Sequence, residues 1–553
     1  MANEPSEVKK RVSASNALMY SVLVVGIVVV VNLLGTRVFG RLDLTENKVY
    51  TLSPASKDVV RNLADYFTIK AYISKDLPPE LANVSRYVRD LLDEYRTYSK
   101  GKLRFEAADP SADKKVEDEA TACKVQKLQI QVLRSQKFEV GAYYLGLCFQ
   151  YAGQSEAIPE ITQSEGLEYQ VSSQIKRMTQ KKRKVAFTNG HSELDLNQGF
   201  QALKHAVAQE YDSTSVNPSQ APIPDDVDAL VVGGPKAAFD DKGRREIDKF
   251  LMKGKGAIFL VDGMVMSTPR GSAEIPGMPK VGQANDSGLN ELLSAYGFKV
   301  GDDFVLDRQN APGPVDLGGR RMLANAPVFV GVEVNEPKDP KELTLLGGVK
   351  ALIFPYPSSV GLVGPLKDGK PAQGKLWTLA SSSPTSWKVS GFFFFSPNTK
   401  VEETKEKGPF ALAYAFQGPL KSAFPSAAPA PATGMSTPPD PNATPSESAK
   451  PVRVMVVGDS DFASDEFVQI ARYLPIYQNG AQLLFNAISW TLEDEALTPV
   501  RAKMITARPI RMESDQKVAL IKWGNIFGLP IAFCALGILR WRVRRVTRLG
   551  QKL

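Results

Sequence analysis

The sequence predicts an α/β protein whose long mixed α/β body lies between two transmembrane helices. Apolar stretches of membrane-spanning length near both ends indicate the helices, and short β-branched runs that alternate with amphipathic segments indicate the body. The composition, with 43% hydrophobic and 23% charged residues, is typical of a folded chain. Because 553 residues exceed what one ordinary core accommodates, we expect more than one globular layer.

The composition excludes several classes of function. Lys and Arg number 68 against 60 Asp and Glu, and this excess of +8 gathers at the two ends, so we expect no nucleic-acid partner. Three cysteines and two histidines exclude a disulfide scaffold and leave little material for zinc, copper or haem sites. We therefore expect no metal and no cofactor.

The three cysteines also argue against redox chemistry. Cys534 lies in an apolar run near the C-terminus. Cys123 and Cys148 could pair in an oxidising compartment, but we expect them to remain two buried thiols. The chain has no C-x-x-C motif, so thiol redox catalysis is not expected.

The first transmembrane helix is predicted over residues 17–36, after a cytoplasmic N-terminus of residues 1–16. Ala17 to Leu34 carries no charge, and this stretch spans about 27 Å as a helix, close to the thickness of the hydrocarbon core. A cleaved signal peptide is the alternative, but no A-x-A cleavage pattern follows the apolar run. The sequence therefore favours an uncleaved anchor.

The second transmembrane helix is predicted over residues 521–541, before a basic cytoplasmic tail of residues 542–553. Trp523 and Trp541 bracket the apolar run, at the positions where aromatic residues meet the membrane interface. Five arginines follow between residues 540 and 548, and the positive-inside rule places them in the cytoplasm. Two spans then put both termini inside and the bulk of the chain outside. The alternative for the arginine run is a solvated helix end.

Residues 42–163 predict a small thioredoxin-like layer. Ser53-Pro54 is typical of a capped helix start. A β-α-β pattern and further strands follow, namely strands Phe67–Ser74, Leu103–Ala107, Gln129–Val132 and Gly141–Tyr151 with a helix over Pro79–Tyr98.

Residues 165–500 predict a larger, three-layer α/β domain. An amphipathic helix, Leu167–Met178, connects it to the first layer. Strands and helices then alternate, and right-handed crossovers make their sheet largely parallel. The predicted strands are Lys184–Thr188, Asp228–Val232, Ala257–Val261 and Arg453–Val457, and the predicted helices are Asn197–Tyr211, Asp240–Lys253 and Asn479–Leu492. Within a long insertion, we expect Met264–Asp286 to be loop and residues 417–450, rich in Pro, Ala and Ser, to be disordered.

A ligand or partner site is expected where these strands end. Ligands of open α/β sheets sit beyond the carboxyl ends of the strands. The polar residues there form the candidate site, which comprises His191, Glu193, Asp262, Asp459 and Asp461. The alternative is structural: the aspartates cap the following turn and His191 is hydrogen bonded within a loop.

Catalytic motifs are missing, so we do not expect an enzyme. Residues 369–375 have the spacing of a Walker A motif, but Leu376 replaces the magnesium-binding hydroxyl and a hairpin turn fits better. Residues 261–264 at one candidate elbow have no thiol or hydroxyl, and Ser460 lacks a G-x-S-x-G context.

Several segments together resemble the GldG-like auxiliary proteins of ABC transport systems, a family first described for bacterial gliding motility. They include Arg41–Thr45, Tyr50–Ser53, Leu167–Gln170, Thr188–Glu193, Val456–Phe462, Asn479–Gly480 and Asn486–Trp490. The family usually has Gly-His-Gly-Glu where this chain has Gly190-His191-Ser192-Glu193, so a role that needs the second glycine is in question here.

The resemblance implies a role as a membrane subunit that works by binding. It implies an ABC ATPase and a polytopic permease as partners, a two-pass location in the bacterial inner membrane, and an extracytoplasmic domain similar to an amidotransferase without its nucleophile. Two alternatives stay open: a membrane-tethered hydrolase of the cell envelope, and a structural scaffold of an envelope or motility machine.

Overall fold

A computed structural model describes most of the chain between residues 51 and 493. The described ranges are 51–134, 137–267, 280–317, 320–335, 344–395, 402–425 and 444–493, together with residues 23, 25–27, 500, 522–524, 526–528, 530 and 533–542. They divide into two units, one within Met1–Met504 and the other within Ile505–Leu553.

The first unit begins with a five-stranded mixed sheet. Its helices and strands are α1 Pro54–Arg61, β1 Phe67–Ile73, α2 Pro79–Tyr98, β2 Leu103–Ala108, α3 Lys114–Ala122, β3 Lys127–Arg134, β4 Lys137–Tyr151, β5 Gln154–Ile158 and α4 Leu167–Thr179. The strand order is β2-β1-β4-β3, with β5 also paired to β4, and only β1 and β2 run parallel. The predicted β-α-β start and antiparallel continuation are therefore present, while the likeness to thioredoxin stays a prediction.

The apolar periodicity of α2 and α4 explains how they pack on this sheet. Val88, Leu92 and Tyr95 of α2 and Val171 and Ile175 of α4 are fully buried in one cluster with the sheet. The hydroxyl of Ser53 accepts a hydrogen bond of 3.1 Å from the backbone N–H of Ser56, so the predicted cap of α1 is confirmed.

The expectation of two free thiols is wrong, because Cys123 and Cys148 form a disulfide. Their Cα atoms lie 6.0 Å apart. Cys123 follows the last turn of α3, which packs against β4, where Cys148 is fully buried. A separation of 25 residues cannot indicate that this helix lies on that strand, so the pairing follows from tertiary packing.

A seven-stranded sheet forms the centre of the larger region. Its elements are β6 Lys184–Thr188, α5 Gln201–Glu210, β7 Asp212–Val216, β8 Ala229–Gly233, α6 Asp241–Met252, β9 Gly256–Leu260, β18 Lys375–Ser381, β21 Ala411–Gly418, β22 Val452–Val457 and α9 Gln478–Thr491. The strand order is β18-β21-β22-β9-β8-β6-β7, and the five strands from β22 to β7 are parallel to one another. β21 pairs antiparallel with both of its neighbours, β22 and β18. The largely parallel sheet is thus confirmed.

Alternate residues of these strands enter two different cores. Val231 and Leu260 face one cluster together with α5 and α9, whereas Leu230 and Phe259 face another together with α6. Because both faces of the sheet are covered by helices, the strands read as continuous apolar runs, and the region has three layers.

The insertion contains more structure than predicted. It comprises β10 Met264–Ser267, β11 Lys280–Ala284, α7 Asn290–Ala295, β12 Phe298–Val300, β13 Asp303–Leu306, β14 Asn310–Leu317, β15 Arg320–Glu333, β16 Ala351–Pro355, β17 Val360–Leu362, β19 Trp387–Ser390 and β20 Phe393–Phe395, and a short helix, α8 Asp465–Val468, follows β22. The expectation of a loop over Met264–Asp286 is wrong, since β10 pairs with β11 and β11 with β20.

The predicted disordered segment 417–450 also needs correction at both ends. Gln417 belongs to β21, Leu420 is buried, and Ser422 donates a hydrogen bond of 2.6 Å to the Asp248 carboxylate. Residues 444–450 return to this surface, where Lys421 pairs with Glu447 in an isolated bridge. The central residues, 426–443, lie outside the described ranges.

One helix within the described residues, Lys522–Arg542, is long and apolar enough to cross a membrane. It includes residues 522–541 of the second predicted span, residues 521–541. The first, residues 17–36, lies outside the described residues except for Leu23, Val25, Gly26 and Ile27, which are helical and exposed. The predicted tail also lies outside them, apart from Arg542.

Candidate functional site

The five predicted site residues follow strands of the parallel sheet at its carboxyl edge. His191 and Glu193 come after β6, Asp262 after β9, and Asp459 and Asp461 after β22. Parallel strands that neighbour one another end on the same edge, so the fold gathers these segments. The structure nevertheless separates the residues into two clusters, which differ in how fully their polar atoms are partnered.

The first cluster is built around His191. The Glu193 carboxylate accepts a hydrogen bond of 2.5 Å from the His191 backbone N–H and lies 3.1 Å from His191 Nδ1. His191 Nε2 lies 3.2 Å from Ser219 Oγ, and Ser219 Oγ donates to Asp240 Oδ1 over 2.7 Å. The imidazole also stacks on the ring of Phe239, with centroids 3.9 Å apart. Both ring nitrogens and one face of the His191 imidazole therefore contact neighbouring side chains.

Backbone conformation explains how this loop turns. Gly190 has φ of +104°, and a Cβ there would lie 2.1 Å from Asn217 Nδ2, so only glycine fits. Ser192 has φ of +60°, the left-handed region that glycine adopts most readily. Ser192 therefore keeps the turn at the cost of some strain.

The second cluster is built around Asp262, whose side chain is 6% exposed. Asp262 Oδ1 accepts a hydrogen bond of 2.7 Å from the Ser460 backbone N–H, and Oδ2 accepts one of 2.7 Å from Ser460 Oγ. The Lys236 ammonium forms an ion pair with Oδ2. Burial alone would lower the pKa of Lys236, but the nearby carboxylates of Asp262, Asp461 and Asp459 outweigh it and raise that pKa.

Asp459 and Asp461 add two more carboxyl groups beside Asp262. Asp459 is 1% exposed; its Oδ1 accepts a hydrogen bond of 2.6 Å from the Asp461 backbone N–H, while Oδ2 has no partner among the described residues. Burial and the charge of Asp461 hold the pKa of Asp459 well above its usual range. Burial, followed by the charge of Asp262, raises the pKa of Asp461 to about 7.

A cavity of about 490 Å³ opens in front of this second cluster. Its walls come from the strand ends, from β10 and β11, and from α8. The charged lining residues are Lys236, Lys280, Asp262, Asp286, Asp461 and Glu466. Tyr356 and methionines 264 and 266 supply apolar surface. A pocket of this size and position suits a small ligand.

Two of the five predicted residues, Asp262 and Asp461, line the cavity, and Asp459 lies beside them. His191 and Glu193 do not line it. The clusters are connected through the backbone, because the Lys236 N–H donates to the His191 carbonyl over 2.9 Å while the Lys236 side chain reaches Asp262. The candidate site is therefore two neighbouring clusters of different character.

Sequence reasoning missed three residues that complete these clusters: Lys236, Lys280 and Ser219. The Gly233-Gly234-Pro235 turn at the end of β8 is the one signal that pointed to Lys236, since it directs the following residues over the sheet edge. Lys280 lies within the segment expected to be loop, and Ser219 follows a short edge strand. Nothing local marks either residue.

The described residues that line the cavity offer carboxyl, ammonium and hydroxyl groups, which can bind a charged or polar ligand. No group of three His, Cys, Asp or Glu side chains within the described ranges could hold a metal ion. Ser460, at the carboxyl edge, is hydrogen bonded to a carboxylate and not to an imidazole. The fold and the site define a three-layer α/β protein with a charged cavity at the carboxyl edge of its parallel strands.

Comparison with known proteins identifies the family. The model of a family described as an ABC-type uncharacterized transport system matches residues 182–487, which is more than half of the chain. The chain belongs to this family and is an auxiliary component of an ABC-type transport system. Residues 46–150 match a second model, described as a domain of unknown function.

Two individual proteins are similar to the chain. An uncharacterized protein of Borreliella burgdorferi is 25% identical over 395 residues, which cover 69% of this chain and 74% of that protein. Among solved structures, the N-terminal domain of mmIFT52 aligns over 56% of this chain and 96% of that domain, with 13% identity and a TM-score of 0.32. A similarity that small supports no further conclusion.

Proposed function

We propose that the chain is a non-catalytic, membrane-anchored subunit that works by binding, with its α/β body outside the cytoplasm. The observation that carries the proposal is the cavity at the carboxyl edge, which presents charged side chains held by hydrogen bonds but no activated nucleophile among its described residues. Such a site recognises a ligand or a partner without transforming it. An auxiliary component of a transport system needs this property.

Two observations support the location outside the cytoplasm. The disulfide between Cys123 and Cys148 is of a kind that persists in oxidising compartments and is rare in the cytosol. The arginines that follow the apolar C-terminal helix favour a cytoplasmic end for that helix. With the apolar run of residues 17–34 as a second anchor, both termini would lie on the cytoplasmic side of a bacterial inner membrane.

The proposed partners are an ABC ATPase and a polytopic permease, and the GldG-like motifs extend the proposal to systems of the gliding-motility type. The test is affinity purification of the tagged full chain from its native membranes in mild detergent, followed by mass spectrometry. We expect both partners to copurify. A chain that comes out alone, at several detergent concentrations, would contradict the proposal.

The compartment is tested separately by thiol labelling of intact cells. We expect Cys123 and Cys148 to resist a maleimide reagent until a reductant is added, because they are paired. A Cys534→Ser background removes the remaining thiol and serves as the control. Labelling of both cysteines without reductant would place them in a reducing compartment and contradict the extracytoplasmic body.

A second candidate function, hydrolysis of a cell-envelope substrate, is favoured by one observation. Ser219, His191 and Glu193 stand in the order of a catalytic triad, with distances of 3.2 and 3.1 Å. The Ser219 proton, however, is directed to Asp240, and this arrangement orients the imidazole without activating the hydroxyl. Labelling by a fluorophosphonate that Ser219→Ala abolishes would establish the hydrolase, and we expect no labelling.

A further inference from the structure

We propose that the cavity binds a small ligand through a primary ammonium group, and that Asp461 is the carboxylate that receives it. The inference rests on the proposed binding function and names the chemical class of ligand for the same site. It follows from the charged groups that line the cavity and from which of these groups already have partners. It follows also from the kind of cation that suits the carboxylate left without a hydrogen-bond donor.

The lining carries more negative than positive groups. Four carboxyl groups, those of Asp262, Asp286, Asp461 and Glu466, face two ammonium groups, those of Lys236 and Lys280. Asp286 and Glu466 are exposed to water, whereas Asp262 is buried and Asp461 is half-buried. Charges that are partly removed from water need partners of opposite sign, so the question is which of the latter two still lacks one.

Asp262 is already committed to the protein. Its two oxygens accept hydrogen bonds from the N–H and the hydroxyl of Ser460, and Oδ2 also pairs with Lys236. The Lys236 ammonium is in turn engaged by this pair. Asp262 and Lys236 thus form part of the cavity wall, and both charges already have partners within the protein.

Asp461 is in the opposite situation. Its backbone N–H donates a hydrogen bond to Asp459 Oδ1. No group within the described ranges donates a hydrogen bond to its own carboxylate. Burial and the charge of Asp262 raise the pKa of this carboxyl to about 7, so its ionised form is poorly compensated. A cation that enters the cavity would supply the missing compensation.

The lining also discriminates between kinds of cation. A quaternary ammonium is recognised by several aromatic faces, but the described lining holds one aromatic ring, Tyr356, which already has the Lys280 ammonium 5.8 Å from its centroid. A metal ion lacks a suitable group of three ligands among the described side chains. A primary ammonium offers three donors on a compact charge, which suits Asp461 together with neutral acceptors such as Gln283 and Ser267.

The test measures binding of three amines to the purified full chain in detergent at pH 8. The probes are ethanolamine, glucosamine and trialanine, which represent a lipid headgroup, an amino sugar and a peptide N-terminus, each paired with its N-acetylated counterpart. We expect at least one free amine to bind at least tenfold more tightly than its acetylated form, and the probe that does so identifies the source.

Three variants locate the site. Asp461→Asn should weaken that amine at least tenfold, Asp461→Glu should retain the preference for the free amine, and Asp302→Asn, which removes an exposed carboxylate outside the cavity, should change nothing. If Asp461→Asn does not fold, the comparison of free and acetylated probes on the unaltered chain decides alone.

Several outcomes would overturn the inference. They are equal binding of free and acetylated probes, no binding of any amine, or binding of inorganic phosphate that Lys236→Met or Lys280→Met abolishes. Copurification of the ATPase and permease does not depend on these results. Partners without amine binding would refute the ligand class alone, while amine binding without partners would refute the transport role alone.

Discussion

The two clusters at the carboxyl edge of the parallel sheet differ in how their buried polar groups are satisfied. Around His191, each hydrogen-bonding group described above meets a partner, from Glu193 through Ser219 to Asp240. Around Asp262, three carboxyl groups surround the Lys236 ammonium, with the Lys280 charge acting on Asp461 as well, and Asp459 Oδ2 has no partner within the described residues. The first arrangement is that of a fully hydrogen-bonded loop, and the second, beside a cavity, is the arrangement on which the proposed ligand site rests.

The sharpest way to break this comparison is Asp262→Ala. The substitution removes the acceptor for the Ser460 N–H and hydroxyl and leaves the partly buried Lys236 without its partner. We expect the free energy of unfolding to fall by about 3 kcal/mol. Urea denaturation of the solubilised chain measures it, with Asp286→Ala at the cavity rim as the control. A loss no greater than that of the control would mean that Asp262 does not hold the second cluster together.

Glu193→Ala tests the first cluster. The Glu193 side chain is fully buried and accepts from the backbone N–H of His191 and contacts its ring Nδ1, so its removal leaves that N–H without its acceptor and Nδ1 without its partner. We expect a loss of about 2 kcal/mol in the same measurement. Glu193→Gln keeps an acceptor oxygen and should lose clearly less. Equal losses for the two variants would show that the charge, rather than the hydrogen bonds, matters.

The pH dependence of stability separates the clusters further, because Asp461 belongs to the second alone. Folding raises the pKa of its carboxyl from 3.8 to about 7, so the folded state holds the proton more tightly than the unfolded state. The resulting stabilisation is complete below about pH 4 and is lost as the pH rises through about 7. The groups that set this balance are Asp262, Asp459, Lys236, Glu466 and Lys280.

Asp461→Asn does not titrate, so its stability should fall less between pH 4 and pH 8 than that of the unaltered chain. Urea denaturation midpoints at intervals across this range provide the measurement, and Asp302→Asn should follow the unaltered chain. A variant profile parallel to that of the unaltered chain would show that another group carries the dependence.

Regular periodicity made most of the sheet predictable. Lys184–Thr188 and Pro79–Tyr98 are located to the residue, because a buried apolar run and a helical stripe each leave a clear pattern. Some strands of the insertion, such as β11, were missed. Besides its neighbour β10, β11 pairs with β20, more than a hundred residues later, and local Gly and Pro conceal it.

The location of the candidate site was predictable from the sequence, but its separation into two clusters was not. The rule that ligands bind at strand ends found Asp262 and Asp461, but it could not show that His191 turns away from the cavity toward Ser219 and Asp240. Lys236 escaped for the same reason, since a lysine after a turn is ordinary until the fold places its ammonium on a buried carboxylate.

The smallest expected effect concerns Ser192 of the first cluster, a non-glycine residue with a left-handed backbone. Ser192 is exposed and left-handed, with φ of +60°, so glycine should relieve the steric cost of its Cβ. We expect Ser192→Gly to raise the free energy of unfolding by about 0.5 kcal/mol, since the flexibility of glycine in the unfolded chain offsets part of the gain. Ser213→Gly, at an exposed position in the extended strand β7, should instead lower it. If both substitutions destabilise alike, the Ser192 side chain has a role beyond the turn.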